Sequence, residues 1–342
     1  MMFAMFIFMV FFMVSFFWPS ASDDGNLNTT NILDISEFDF TSAFGGSETT
    51  NNNFLGLRDI IFQNPPEFRN LLENSGNREF LTTEHIERLR DPNYLINTFY
   101  SRDLNAGLVL GRFNIDNFLN TDLRLEKDDS SAPQVLIFHT HAGTEFFVDS
   151  DPTNIYTGVV GAGVWLQYYL ENKHGIITMH HTGVYDVIDG VSARGGSYER
   201  MEVSIQRILE ENPSIQVVID LHRDGIDPNP HLVTYIDGRP HARLMFVNGV
   251  SALAENGIVR ELPSLPNPNL DANLALSFNM QIAANEFFPG LMRRLYLKAF
   301  RFSTHMKPHS LLVEVGSQHN TMEEAFNTME LLADLINEVI FN

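Results

Sequence analysis

Gln134-Val135-Leu136-Ile137-Phe138 is a short, almost wholly apolar run, and it leads directly into His139, His141 and Glu145. Two further runs end in the same way: Ile215 to Ile219 before Asp220, His222, Arg223 and Asp224, and Leu311 to Val313 before Glu314. Short apolar runs of this kind read as buried strands. In an open parallel sheet, the loops leaving several strands converge on one edge, so ligands and catalytic groups collect beyond the strand ends. The polar residues that close the three runs are therefore expected to meet.

The surrounding pattern supports that sheet. After a break at Lys127 to Ser131, strand and helix signals alternate, which predicts an α/β fold with a mainly parallel twisted sheet flanked by helices over residues 131–342. Val159 to Leu170 reads as a buried helix, Ile176 to Met179 as a strand, and Met201, Ile205, Ile208 and Leu209 as one helical face ending near Asn212-Pro213. Another strand is expected at Leu244 to Val247. In the last unit, Leu311 to Val315 is a strand, Thr321 and Glu324 suit a capping box, and Phe326, Met329, Ala333, Ile336 and Ile340 form the buried stripe of a final helix. Pro263, Pro266 and Pro268, with Asn267 and Asn269, mark a loop long enough to border a substrate groove.

Upstream the chain divides by composition. Residues 54–130 read as a small N-terminal region, with a helix after Asn64-Pro65-Pro66 and Thr83 as an N-cap, and they carry no clustered chemistry. Residues 21–53 are rich in Asn, Thr, Ser, Asp and Gly and read as a polar linker. Met2 to Trp18 is apolar except for Ser15, near the lower length of a membrane span of about 17–25 residues. Residues 1–20 are thus a membrane anchor, or a signal segment cleaved near Ser20-Ala21-Ser22. Asp23 and Asp24 after the apolar run suit an exported C-terminal side. The expected location is the cell membrane, single-pass, with the catalytic part extracytoplasmic.

Of 342 residues, 44% are hydrophobic, enough for a full core. A net charge of -21, with no concentration of Lys and Arg, argues against nucleic acid as a partner. There is no cysteine, so any zinc site must be built from His, Glu and Asp.

That donor set is present. His139 and His141 lie two apart on an extended segment, Glu145 follows where the chain begins to turn, and His222 sits at another strand end. Catalytic zinc takes three protein ligands and keeps a fourth position open. His141, Glu145 and His222 are the first choice. Asp220 or Asp224 is expected to accept the second imidazole N–H of His222, the other serving as a strand-end cap. Glu314, in an apolar context, is the expected general base, the competing role being a salt bridge to Arg301 or Lys307. Arg223 is a candidate clamp for a substrate carboxylate or a developing oxyanion, with a surface ion pair as its alternative. His180 and His181 are candidates to line the cleft.

Taken together, Val135-Leu-Ile-Phe-His-Thr-His141, Val217-Val-Ile-Asp-Leu-His-Arg-Asp224 and Leu311-Leu-Val-Glu-Val-Gly316 resemble the stage II sporulation protein P family. Supporting stretches are Ser197-Tyr198-Glu199, Phe288-Pro289-Gly290-Leu291 and Asn97-Thr98-Phe99-Tyr100. The family is related to zinc-dependent N-acetylmuramoyl-L-alanine amidases. The resemblance implies Zn2+ on His141, Glu145 and His222, Glu314 as catalytic carboxylate, and peptidoglycan as substrate. The reaction it implies is hydrolysis of the amide between N-acetylmuramic acid and the L-alanine of the stem peptide, in septal wall remodelling during engulfment. It further implies a stage II sporulation lytic transglycosylase and membrane scaffold proteins as partners. Cleavage of peptide cross-links is the alternative activity, and a catalytically vestigial wall-binding scaffold the non-enzymatic one.

Overall fold

The computed structural model describes residues 32–33, 81–128, 131–226 and 230–342. The expected apolar span, most of the linker and the helix after Asn64 lie outside the described residues. No helix among those described is long and apolar enough to cross a membrane.

In chain order the elements are β1 (Ile32–Leu33), α1 (Thr83–Leu89), α2 (Pro92–Phe99), β2 (Tyr100–Arg102), α3 (Ile115–Asn120), β3 (Val135–Phe138), α4 (Val159–Asn172), β4 (Thr178–His181), β5 (Val187–Ile188), β6 (Val191–Ser192) and α5 (Ser197–Glu211). They continue with β7 (Val217–Asp224), β8 (Val233–Ile236), β9 (Arg239–Ala242), β10 (Leu244–Gly249), β11 (Ala252–Glu255), β12 (Ile258–Glu261), α6 (Leu270–Phe287), β13 (Leu295–Lys298), β14 (His309–Ser317) and α7 (Met322–Ile336). Eight strands form the central sheet in the order β1-β4-β3-β7-β14-β10-β13-β2.

The pairs β4/β3, β3/β7, β7/β14, β10/β13 and β13/β2 are parallel, whereas β1/β4 and β14/β10 are antiparallel. The expectation of a mainly parallel sheet is therefore met, but as two parallel blocks of opposite direction joined at β14/β10. Simple strand–helix alternation does not hold throughout. Hairpins β8/β9 and β11/β12 precede α6, because the second block is entered by antiparallel turns rather than by crossover helices.

Alternation of side chains along each strand divides the core between two faces. One face carries Val135, Ile137, Val217, Ile219, Val313 and Val315, which share a hydrophobic core with α4, α6 and α7. These strands, buried on both faces, explain the unbroken apolar runs. On the opposite face, Leu136, Phe138 and Val218 pack against Met201, Ile205 and Ile208 of α5. Each such fully buried aliphatic side chain contributes about 1.5–3 kcal/mol. Farther along that second face, Met245, Val247 and Leu312 form a small separate cluster with Tyr296 and Phe302. Residues 81–128 add β2 to the sheet edge and place Leu95, Phe99, Phe113 and Phe118 in the same core as α6.

Local details refine several boundaries. Thr82, not Thr83, caps α1: its side chain accepts from the backbone N–H of His85. The capping box at Thr321 and Glu324 is present, and Phe326, Met329, Ala333, Ile336 and Ile340 are all buried. The strand expected at Ile176 to Met179 begins two residues later, at Thr178. The loop around Pro266 is pinned from below, with Asn267 Nδ2 donating to the carbonyl of Gly249 and to Thr304 Oγ1.

A buried ionic cluster ties α4 to α7. Lys173 Nζ lies 3.0 Å from Glu330 Oε1 and 2.9 Å from Asp334, while Arg239 holds Glu330 at 3.2 Å and His174 holds Asp334 at 2.7 Å. Burial alone would lower the Lys173 ammonium, but Asp334 and Glu330 outweigh it and hold it above its ordinary value. Its contribution to stability is therefore complete below the unfolded value and lost as alkali deprotonates it. Both carboxylates keep a second partner if Lys173 is removed, Arg239 for Glu330 and His174 for Asp334. Lys173→Met should accordingly cost about 1–3 kcal/mol at neutral pH, less than the ~3–5 kcal/mol of a charge left wholly unpaired. Urea titration of variant and parent at pH 7 and again at strongly alkaline pH, where the deficit should shrink, checks both magnitude and sign.

Candidate metal centre

Three strand ends place the polar residues. Beyond β3 the chain turns back at once, with the N–H groups of Thr144 and Glu145 both donating to the carbonyl of His141. Glu145 in turn offers its own carbonyl to the N–H of Val159 at the start of α4. Gly158 permits this approach: a Cβ there would stand 2.5 Å from the Glu145 carbonyl oxygen. β7 runs on through Asp224 instead of ending at Ile219, because β14 continues to pair with it, and Glu314 is the register partner of His222. Asp220, His222 and Glu314 therefore point to the α5 face of the sheet. Ligand atoms of His141, Glu145 and His222 come within 4.8 Å of one another, and all three residues are buried.

Asp220 organises the cluster. Its carboxylate accepts from Thr140 N–H at 2.9 Å and Thr140 Oγ1 at 2.7 Å. It also lies 2.7 Å from His222 Nε2, an ion-pair contact rather than an aligned hydrogen bond. On the other side of the ring, His222 Nδ1 is 3.1 Å from Glu145 Oε2. Burial by itself would lower the His222 imidazolium, but Asp220 and Glu145 overcome it and hold the group well above its usual value. Burial would raise the Glu145 carboxyl, yet His222, His141 and Arg223 keep it below the usual carboxylate range. His141 is pushed down to about 4, by burial first and His222 second, so its ring is neutral at physiological pH with a lone pair free to ligate. Its Nδ1 faces Ser197 Oγ at 3.4 Å and Asp186 at 3.8 Å, which leaves Nε2 for an ion.

Glu314 differs from the others. Burial, with help from Glu145 and Asp224 and against His222 and Arg293, lifts its carboxyl above the ordinary range. Its Oε2 is buried with no hydrogen-bond partner in the protein. Two imidazoles, a carboxylate, a polar partner behind each ring and an unpartnered carboxylate oxygen beside them form a donor set that suits zinc.

A sequence model of the Stage II sporulation protein P (SpoIIP) family matches residues 75–337. The chain belongs to the stage II sporulation protein P family. Stage II sporulation protein P of Bacillus subtilis (strain 168) is 22% identical over 222 residues, spanning 61% of this chain and 51% of that protein. The chain thus aligns with about half the length of this curated relative. Among solved structures, the apo form of the N-acetylmuramyl-L-alanine amidase Ami1 from Mycobacterium abscessus is 14% identical and covers 60% of this chain and 98% of its own, with a TM-score of 0.30.

Within this family member, the structure brings His141, Glu145, His222, Asp220 and Glu314 together and distributes the other expected residues elsewhere. Arg223 holds the loop after β3: its guanidinium donates to the carbonyls of Phe146 at 3.0 Å and Thr144 at 3.2 Å, and its backbone N–H to Glu145 Oε2 at 3.1 Å. Asp224 pairs with Arg293 at 2.9 Å, so Asp220 is the partner of His222. Of the two expected competitors for Glu314, Arg301 and Lys307, Arg301 pairs with Glu202 instead. His180 and His181 do not line a cleft: both are fully buried, His180 Nε2 against His139 Nε2 at 2.8 Å and His181 against the Tyr185 hydroxyl at 2.5 Å. His139 itself is spent on this pair and on the Leu221 carbonyl. Gly163 of α4 makes room for them, since a Cβ would stand 2.6 Å from His180 and 2.8 Å from His139.

Several contributors escaped the sequence reading. Arg194, in the glycine-flanked segment before α5, donates to Glu145 Oε1 at 2.9 Å and to Thr144 Oγ1 at 2.6 Å. Asp186 accepts from Gly143 N–H and Thr144 Oγ1, fixing the turn between His141 and Glu145. Tyr198 meets the His141 ring edge-on and lies parallel to that of His222. The Ser197-Tyr198-Glu199 stretch carried a signal for the last, but nothing in the sequence marked Arg194 or Asp186. Removing the support behind His222 should loosen the site without dismantling it. Asp220→Asn is expected to weaken zinc binding about 10–100-fold, measured by competition with a chromophoric chelator against the parent protein.

Proposed function

We propose that this chain is a zinc-dependent peptidoglycan hydrolase that cleaves the amide between N-acetylmuramic acid and the L-alanine of the stem peptide. The observation that carries the reading is Glu314: a carboxylate with one buried, unpartnered oxygen, on the same sheet face as His222 and next to it in register. Held by His141, Glu145 and His222, zinc would supply a Lewis acid that polarises the substrate carbonyl and acidifies a water. Glu314 takes a proton on Oε2 from the attacking water as its oxygen adds to the carbonyl carbon, and delivers it to the amine nitrogen as the C–N bond breaks. Asp220 orients His222, while Arg223 and Asp186 keep the turn between His141 and Glu145 in shape. Arg194, paired with Glu145 at 2.9 Å, adds a second guanidinium beside Arg223 at this centre.

Membership of the sporulation family supports action on the septal wall, alongside a glycan-cleaving transglycosylase and membrane scaffold proteins. The apolar segment Met2 to Trp18 supports an extracytoplasmic catalytic part held at the membrane, with residues 21–53 as spacer, residues 54–130 as the small N-terminal region and 131–342 as the catalytic unit. Residues 75–337, the reach of the family match, include part of that N-terminal region.

Glu314→Gln separates metal binding from chemistry. The variant should retain about one zinc per chain and lose roughly 10²–10⁴-fold in the rate of wall cleavage, followed by metal analysis and by chromatography of released muropeptides. Free glycan strands identify the muramyl amide as the bond broken, and stems released from one another while still attached to glycan identify cross-link cleavage. Near-parental turnover in the variant would remove Glu314 from the mechanism.

A further inference from the structure

The metal centre occupies only part of its sheet face. Where strand direction reverses, between β14 and β10, the side chains of Glu314 and Met245 are register partners, and Val247 on β10 pairs with Tyr296 on β13. α5 covers the face over β3 and β7. Here a cavity of about 340 Å³ opens, lined by Glu314, Asp224, Met245, Tyr296, Arg293 and Lys298. That volume is in the range of small-ligand sites. The chain has 43 acidic residues against 22 Lys and Arg, so two cations on a single cavity next to the expected general base are unusual for this surface.

Neither cation is fully committed. Lys298 Nζ reaches Asp103 at only 3.5 Å, is about a third exposed, and lies 5.1 Å over the Tyr296 ring. Arg293 pairs with Asp224 through Nη1, and its side chain is 19% exposed. An ammonium with donors to spare and a planar guanidinium edge together match a carboxylate. The acids Asp224 and Glu314 beside them disfavour a multiply charged anion such as phosphate.

We propose that this cavity is a subsite for a free carboxylate of the substrate peptide, bound by Arg293 and Lys298. The inference rests on the hydrolase reading and specifies which substrates that site prefers. Two strand steps, about 10 Å, separate β14 at Glu314 from the start of β13, beside which Arg293 stands, and an extended peptide covers that in about three residues. The recognised carboxylate therefore lies within one to three residues of the scissile amide, on the peptide side of the bond. Substrates whose carboxylate there is amidated are disfavoured.

The test compares two muramyl dipeptides that differ only in whether the second residue carries a free carboxylate or a carboxamide. With the zinc-loaded full chain, kcat/KM for the acid should exceed that for the amide by about tenfold, as expected for one charge-assisted pair. Lys298→Gln, which keeps a long polar side chain, should reduce this ratio several-fold, and Lys298→Gln with Arg293→Gln should bring it near one. Calorimetric binding of the same two peptides to the full chain runs in parallel. Hydrolysis of both at equal kcat/KM would overturn the subsite while leaving the hydrolase reading intact. Preferential binding of the acid form without hydrolysis, lost in the variants, would support the subsite and sink the hydrolase reading. Absence of both cleavage and discrimination in binding would overturn the proposal.

Discussion

Asp220 is the residue on which the rest of the centre depends. One buried carboxylate takes two bonds from Thr140 at the end of β3 and meets Nε2 of His222 two residues along β7. It thereby joins the two strands that supply the ligands and sets which nitrogen of His222 faces Glu145. A carboxylate this deep is costly unless its lone pairs are used. Here they are, and the burial that makes the cost high also keeps the geometry single-valued.

Around that residue the loop after β3 is held from four directions. Arg223 takes its carbonyls, Asp186 its N–H and hydroxyl groups, Arg194 one oxygen of Glu145, and the N-terminus of α4 the Glu145 carbonyl. The consequence is a pre-positioned carboxylate, Glu145, on a segment that has no regular structure of its own. Preorganisation of this kind is what a three-ligand site requires, since a loop free to move would lose the alignment of its third donor.

The reversal of direction between β14 and β10 has a second consequence. Carboxyl ends of β3, β7 and β14 and amino ends of β10 and β13 share one edge of the sheet, so groups from both blocks converge on Glu314. Ligand sites in α/β sheets gather beyond the carboxyl ends of the strands, and here the amino ends of the second block border that same edge. The residues that could hold a metal come from one block, and the cavity cations come from the other.

Much of this was legible in the chain itself. Apolar runs ending in His141, His222 and Glu314, the capping box at Thr321 and Glu324, and the helical stripe of Met201, Ile205 and Ile208 each reflect a local rule in which period and end residue declare the element. The three-residue donor set followed from them because strand ends of a parallel sheet must converge. Tertiary structure alone decided the rest. Whether Asp220 or Asp224 serves His222 depends on Arg293, which lies 69 positions after Asp224 in the numbering and meets it only across the sheet edge. Arg223 is drawn to backbone carbonyls by a loop whose path its own sequence does not reveal, and His139 and His180 are consumed by each other inside the core. Local sequence specifies which groups are available and how each element begins and ends. Which of those groups pair is a competition among partners distant in sequence, and it is settled only when the strands are brought into register.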